Sequence, residues 1–223
     1  MVYNVYGHQW STCTARVIVS FLAMGLEPDK DFKFITSDWE KIKTPGWLAH
    51  SPFGQMPYLE DTEAGLEVYE SRAIVAYVAA KIKSPLAPGP ENIAALAKYQ
   101  QAAQAEATQF DAPASILAEE LFFGKWFGHK TDEEVVAHQK KIMGVKLEGY
   151  ERILSKQKYL GGDEVTVADL MHLPYGCVVQ DAGGLPNLTD GSLPNVARWW
   201  KEILAHPAWT KTKAMGINVY DDV

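Results

Sequence analysis

Cysteine is nearly absent: 223 residues carry only Cys13 and Cys177, and neither belongs to a CxxC pair. A disulfide framework or a thiolate zinc centre is therefore excluded as an organising device. The six histidines (His8, His50, His129, His138, His172 and His206) fall into no HxxxH or HExxH spacing, so no metal site is expected. Lys and Arg number 21 against 28 Asp and Glu, a formal net charge of -7. No basic stripe interleaved with aromatics reverses that balance, and a nucleic-acid phosphate backbone would be repelled. No apolar run approaches the ~18 residues a membrane span needs. Internal repeats and low-complexity tracts are missing too. The opening MVYNVYGHQW lacks the charged and apolar segments of a secretory leader. The expectation is a reduced, cytoplasmic chain without nucleic-acid or membrane partners, in which the NLT sequon at Asn187 is chance.

What is present is a composition 47% hydrophobic and 22% charged, enough to bury a core in one large or two modest domains. YNVY (3–6) alternates as a short strand. Thr12 to Met24 has helical spacing, with Cys13, Val17, Phe21 and Met24 on one stripe and Gly25 as its stop. FKFI (32–35) is a second strand, so the chain opens β-α-β, a right-handed crossover. A Pro45/Gly46-broken helical stretch follows, then MPYLED and LEVYE as strands about a turn at 62–65, then a helix from Ser71 to Ile82. KSPLAPGP (83–90) holds three prolines and a glycine and suits an exposed linker. Beyond it lie helical patterns over 91–123, 132–156, 167–181 and 194–205. Thr166 and Asp169 form a Thr-x-x-Asp capping box, a folding device, and Pro174 should kink or break the helix it starts.

Chemistry is suggested by GHQWSTCTARV, where Ser11 immediately precedes the first helix. It reads as an N-cap worth about 1 kcal/mol, as a catalytic hydroxyl, or as the neighbour of a reactive Cys13. At ~100° per residue Cys13 turns about 200° from Ser11, onto the stripe with Val17 and Phe21, where it packs as a small hydrophobe. Glu70 and Ser71 stand at a strand-to-helix junction, whose free N–H groups favour a carboxylate. Each also has a purely structural reading: Ser71 as cap, Glu70 as first-turn acid, Pro57 as strand-entry proline, Lys43 as a solvated cation.

Taken together, STCTAR, SPFGQMPYLED, YESRAI, YLGGDEVTVADLMHLPY and ARWWKEILAHPAW resemble the cytosolic glutathione transferases, nearest to the phi class, over nearly the whole chain. The resemblance implies an α+β, thioredoxin-like glutathione-binding domain over 1–82 (βαβ-ββα), a linker over 83–90 and an all-α domain over 91–223. It implies that Ser11 donates a hydrogen bond to the glutathione sulfur and that Glu70 and Ser71 hold the γ-glutamyl end. Met56 would offer its backbone to the cysteinyl unit ahead of a cis Pro57, with Lys43 and Gln55 toward the glycine end. Ile42 departs from the family, which usually has a histidine beside that lysine. Thr14 and Arg16 are supporting residues. Trp10, Leu117, Phe123 and Phe127 are the candidates to receive a small hydrophobic electrophile. Glutathione would be a co-substrate with no further cofactor, peroxide reduction a second reaction, and a homodimer the assembly. A non-catalytic carrier and a Cys13-dependent thiol transferase stand as alternatives.

Overall fold

In the computed structural model, which describes residues 2–220, the alternating segment at the start of the chain forms β1 (Tyr3–Gly7), with Tyr3, Val5 and Gly7 buried. It is followed by α1 (Thr12–Ala23), β2 (Phe32–Thr36), a short 3₁₀ turn over Trp39–Lys43 and α2 (Pro45–His50). Next come β3 (Tyr58–Asp61), β4 (Leu66–Tyr69) and α3 (Ser71–Ile82). The sheet order is β2-β1-β3-β4, with β1 parallel to β2 and antiparallel to β3, and β3 antiparallel to β4. This is the mixed thioredoxin-like sheet expected from the β-α-β then β-β-α order. Asp61 closes the β3–β4 turn by accepting from the Glu63 and Ala64 amides, and Gly65, at φ 63°, takes the left-handed position there.

The helical elements that follow are α4 (Ile93–Ala105), α5 (Ala112–Ala118), α6 (Gly124–Trp126), α7 (Glu133–Leu154), α8 (Val167–Leu170), α9 (Leu173–Asp181), α10 (Pro194–Leu204) and α11 (Pro207–Ala214). The expected single helix over 91–123 is an α4–α6 run interrupted by two wider, π-type turns, at Glu106–Asp111 and Glu119–Phe123. Pro113, with no N–H to donate, sits just beyond the first. The break anticipated near Pro174 falls at Met171–His172, with Pro174 in the first turn of α9. Asp169 reaches back to the Thr166 amide as the capping-box reading requires.

Two compact units result. One runs to Ala87 and takes in the chain from Pro207 onward; the other spans Pro88–His206. This differs from the expected boundary at the C-terminal end, where 207–223 had been grouped with the helical domain. The reason lies in α11, which packs against α1. That covering also explains why α1 is buried on nearly every side, from Thr14 through Phe21, rather than along one stripe. Ser84 and Ala87 are buried as well, so the proline-rich segment is only partly exposed.

The helical unit has its own core. Met143, Leu147, Tyr150 and Leu154 of α7 line one face at i, i+4, i+7 and i+11, with Leu117, Trp199, Trp200 and Ile203 also buried in that unit. Among the described residues no helix is long and apolar enough to cross a membrane.

Candidate active site

Strand register gathers three segments at one end of the sheet. Tyr6 pairs with Tyr58, and Tyr58 with Tyr69. One step beyond that row stand Gly7, leaving β1; Pro57, entering β3; and Glu70, leaving β4. The first and third lead into the N-termini of α1 and α3, where the first N–H groups have no partner within the helix and the helix dipole is positive.

At the α1 terminus Ser11 is the N-cap, extended at φ -81° and ψ 115° and largely buried. Its Oγ accepts from the Thr14 N–H at 3.1 Å. A hydroxyl has one proton and two acceptor sites, so this bond occupies an acceptor site and leaves the proton to donate. Cap and donor are thus compatible roles for one side chain. Thr14 is wholly buried, and its own hydroxyl, which finds no hydrogen-bond partner among the described residues, lies where a Cβ on Gly7 would collide with it. Glycine at position 7 is what permits this close approach.

Cys13 does not sink into the apolar stripe. It is only partly buried, and its sulfur accepts from Arg16 Nη1 at 3.3 Å. The same Nη1 donates to Ser71 Oγ at 2.9 Å. The fully buried Arg16 therefore ties α1 to the first residue of α3 and places a positive charge beside it. Ser71 repeats the wiring of Ser11: its oxygen accepts from the protein and its proton remains available. Glu70 is exposed and holds φ 69°, ψ 111°, a region that disfavours any residue but glycine. Such a conformation costs on the order of 1–3 kcal/mol and clusters at ligand clamps. An N-cap reading of Ser71 is not what the structure has, because the cap position belongs to Glu70.

The connection into β3 carries the cis Met56–Pro57 bond. Gln55 is exposed, Met56 buried. Lys43 ends the 3₁₀ turn with its Nζ 3.2 Å from where a Cβ on Gly54 would stand, so its charge lies beside this loop. Ile42 packs against the buried group of Trp47, Met56 and Tyr58. At this position the chain carries a packing residue, not a polar one.

Trp10 is half-buried in the loop ahead of Ser11. Its backbone N–H donates to His8 Nδ1 at 3.1 Å, and the His8 ring lies 5.1 Å from that of Trp10 and 5.2 Å from that of Trp39. Burial pushes the His8 imidazole below its ordinary value, against the opposing influence of Asp38. The tail of the chain supports this loop: Asn218 N–H donates to Gln9 O at 2.8 Å, and the Tyr220 hydroxyl lies 3.2 Å from Trp10 O.

Candidates in the helical unit fare unequally. Leu117 has no exposed surface and is a core residue, so it has nothing to offer a ligand. Phe123 is half-buried against Phe122 and Trp126, and Phe127 is 71% exposed. No group of three or more His, Cys, Asp or Glu side chains among the described residues could hold a metal ion.

Sequence reasoning passed over Trp47, Ser51 and the His8–Trp39 contact. The Ser-Pro-x-Gly turn at 51–54 was the available signal for Ser51, as a side chain that closes a loop. Nothing in the spacing announces an indole donating to a backbone carbonyl eight residues on.

The family described as Glutathione S-transferase, N-terminal domain, matches residues 1–80, and Glutathione S-transferase, C-terminal domain, matches residues 114–207. Glutathione S-transferase PM239X14 of Arabidopsis thaliana is 44% identical over 202 residues, 88% of this chain and 89% of its own. Glutathione transferase F7 from Populus trichocarpa superposes with a TM-score of 0.86 at 31% identity, covering 98% of this chain and 100% of that one. Glutathione S-transferase I from mais, in complex with an atrazine glutathione conjugate, does so with a TM-score of 0.84 at 28% identity, over 96% and 98% of the two chains. With both family domains matched in order along one chain, and their motifs carried on the helix termini and the cis-proline loop just described, the chain belongs to the glutathione transferase family and, within it, to the phi class.

Proposed function

We propose that this enzyme binds glutathione along the gathered end of the sheet and turns its thiol into a nucleophile with the hydroxyl of Ser11. The observation that carries the reading is the Thr14 N–H bond to Ser11 Oγ, which directs the hydroxyl proton away from the helix it caps. A free thiol, with a reference pKa near ~8.5, is only about 3% ionised at neutral pH. Lowering that value by about two units, worth ~2.7 kcal/mol of preferential thiolate binding, raises the reactive fraction roughly 25-fold. Ser11 keeps its proton throughout and acts as a donor, not as a base. Sulfur attacks an electrophilic carbon, the carbon's leaving group departs with its electron pair, and the protein supplies alignment and anion stabilisation. The same thiolate attacking a peroxide oxygen breaks the O–O bond, and the alkoxide leaves and takes up a proton. The glutathione sulfenic acid so formed condenses with a second glutathione to give the disulfide and water, which is the peroxidase reaction.

Ser71, with Arg16 behind it, and Glu70 are assigned to the γ-glutamyl carboxylate and ammonium. Met56 and the cis Pro57 take the cysteinyl backbone, and Lys43 and Gln55 the glycine end. The electrophile is a small hydrophobic molecule received beside Trp10; Phe123 and Phe127 are separate candidates on the helical unit. A second copy of the chain is the proposed partner. Phe53, 67% exposed with its ring 6.1 Å from that of the exposed Tyr69, and Leu48 beside the same loop leave apolar surface on the first unit that a dimer would cover. The two free cysteines suit a cytoplasmic setting.

A second reading has an observation of its own: the partly exposed Cys13 sulfur beside the Arg16 guanidinium, which suits a thiol-disulfide exchange reaction. One experiment separates them. Ser11→Ala should cut conjugation kcat/KM about 100-fold and raise the pKa of bound glutathione toward its free value, read by ultraviolet titration. Cys13→Ser should leave both unchanged. If Ser11→Ala conjugates at the wild-type rate, or if the bound thiol ionises no more readily than free glutathione, the assignment is wrong. Reversed behaviour of the two variants would establish the Cys13 chemistry, and glutathione binding without turnover would establish a carrier.

A further inference from the structure

The carbonyl of Gln55 is gripped from two sides. Trp47 Nε1 donates to it at 3.1 Å and Ser51 Oγ at 2.8 Å. Both donors are buried, Trp47 7% and Ser51 2% exposed, so each bond is shielded from water on the donor side. A carbonyl has two lone pairs, and here each has its own donor. Trp47 is itself fixed: its ring packs edge-on to Tyr58, 4.9 Å away at 77°, within the group that includes Met56 and Ile42. Ser51 is fixed by its backbone amide, which donates to Trp47 O at 2.9 Å and ends α2.

A peptide unit is planar, and its C=O and N–H point in opposite directions within the plane. Holding the Gln55 carbonyl from two directions therefore fixes where the next amide, Met56 N–H, points. That amide makes no hydrogen bond among the described residues. A buried residue with an idle N–H, its direction set by two bonds on the opposite edge of the same peptide, is a donor prepared for something outside the chain.

We propose that Trp47 and Ser51 are positioning residues for glutathione, aiming the Met56 N–H at the backbone carbonyl of its cysteinyl unit. This rests on the reading given under the proposed function, and sharpens it by separating two jobs. The clamp acts on the peptide part of the ligand, while Ser11 acts on the sulfur. Losing the clamp therefore weakens glutathione binding without altering the ionisation of the thiol once bound. The two donors share one acceptor, so either alone still restrains the plane and the loss of both is more than additive.

The test uses the full-length protein and four variants: Trp47→Phe, which keeps an aromatic ring but removes the N–H; Ser51→Ala; the double variant; and Ser51→Thr, which restores a hydroxyl. Glutathione affinity is measured by titration calorimetry, and KM for glutathione and kcat with a chlorodinitrobenzene electrophile by steady-state kinetics. Each single loss should weaken glutathione binding about 3- to 10-fold, the scale of one neutral hydrogen bond, and the double loss by more than their product. Ser51→Thr should bind within about twofold of wild type. The KM for the electrophile, kcat at saturating glutathione and the pKa of the bound thiol should stay as in wild type. Unchanged glutathione affinity in the double variant would overturn the proposal. So would a parallel fall in kcat and thiol ionisation, since that is the signature of general loosening. Failure of the wild-type protein itself to bind glutathione would instead bring down the functional reading, and the clamp with it.

Discussion

Ser11 and Thr166 occupy the same place on their helices, one residue ahead of the first turn, and both hydroxyls accept from the third amide of the helix they cap, yet only that of Thr166 commits its proton to a side chain of the protein. Ser11 Oγ accepts from the Thr14 amide; Thr166 Oγ1 donates to Asp169 Oδ2 at 2.9 Å. The contrast extends across the two units. In the first, Ser11 and Ser71 receive hydrogen bonds from the protein and keep a proton in hand. In the helical unit, Thr166 gives its proton to Asp169, whose carboxylate also takes the amides of Thr166 and Leu160 and the indole N–H of Trp199. Four donors on one wholly buried carboxylate leave nothing for a ligand. A cap whose proton is committed inside the chain is a folding element; a cap whose proton is not can also be chemistry.

The largest effect that comparison predicts lies far from the chemistry. Asp169→Ala would strand three or four buried donors at about 1–3 kcal/mol each before relaxation, and a net loss of about 3–5 kcal/mol is expected. For a chain of this size that lowers Tm on the order of 10 °C. Glutathione affinity of the folded variant should match wild type. A stable Asp169→Ala protein with impaired glutathione binding would dissolve the distinction between the two caps.

Much of this was legible from residue order. The alternation of YNVY, the β-α-β then β-β-α sequence and the Thr166-x-x-Asp169 spacing each depend on local periodicity or capping chemistry, and these survive folding unchanged. The placement of three proposed site residues was legible for the same reason: Ser11, Glu70 and Ser71 mark element ends, and ends are visible in sequence. What was not legible depends on partners far along the chain. The position of α11 against α1 joins residues some two hundred apart, so the all-round burial of α1 looked like a single stripe. Leu117 satisfied the pattern of a pocket wall, but the same pattern describes a core residue, and only burial separates them. Arg16 was identified as supporting, yet its bond to Ser71 across 55 positions has no local signature. The positive φ of Glu70 is invisible because the side chain gives no hint of it.

A carboxylate within the first unit sharpens the comparison further, since Asp61 sits at the end of β3 opposite to Pro57. Burial alone would raise its pKa. Bonds from Lys81, the Ala64 amide and Tyr77 more than reverse this, holding it at about 2 against an ordinary 3.8. The folded value is depressed, so the contribution to stability is full above pH 3.8 and is lost as pH falls through 2. That contribution is about 2 kcal/mol. Asp61→Asn should lose this amount at neutral pH, and urea melts of the two proteins should converge as pH is lowered from 5 toward 2. A constant gap over that range would show that Asp61 acts by shape and not by charge. Smaller again is the capping share of Ser11: Ser11→Ala should cost about 1 kcal/mol of stability beside its roughly 100-fold loss of turnover.

The smallest effect separates two histidines. His172 is buried, with Nδ1 2.9 Å from Ala168 O and Nε2 3.0 Å from the Tyr150 hydroxyl, so its ring is built into the helical unit. His8 stands beside the site, and its Nδ1 accepts the Trp10 N–H, which requires that nitrogen to be unprotonated. Its folded pKa lies below the ordinary 6.5. Where the unfolded chain binds the proton and the folded chain does not, stability falls with pH; the loss therefore begins as pH drops through 6.5 and is complete below the folded value. Protonation also removes the acceptor that holds the Trp10 backbone, so on the proposed function KM for the electrophile should rise over the same interval while glutathione affinity, assigned to Met56 and Ser71, should not. His8→Phe keeps an aromatic ring against Trp39 but has no acceptor and no proton to gain. The gap between wild type and this variant, in Tm and in electrophile KM, should be widest near pH 7.5 and narrow toward pH 5.5. A gap independent of pH would mean that the ring serves by packing alone, and that the Trp10 wall of the site is held by the Asn218 and Tyr220 contacts of the tail.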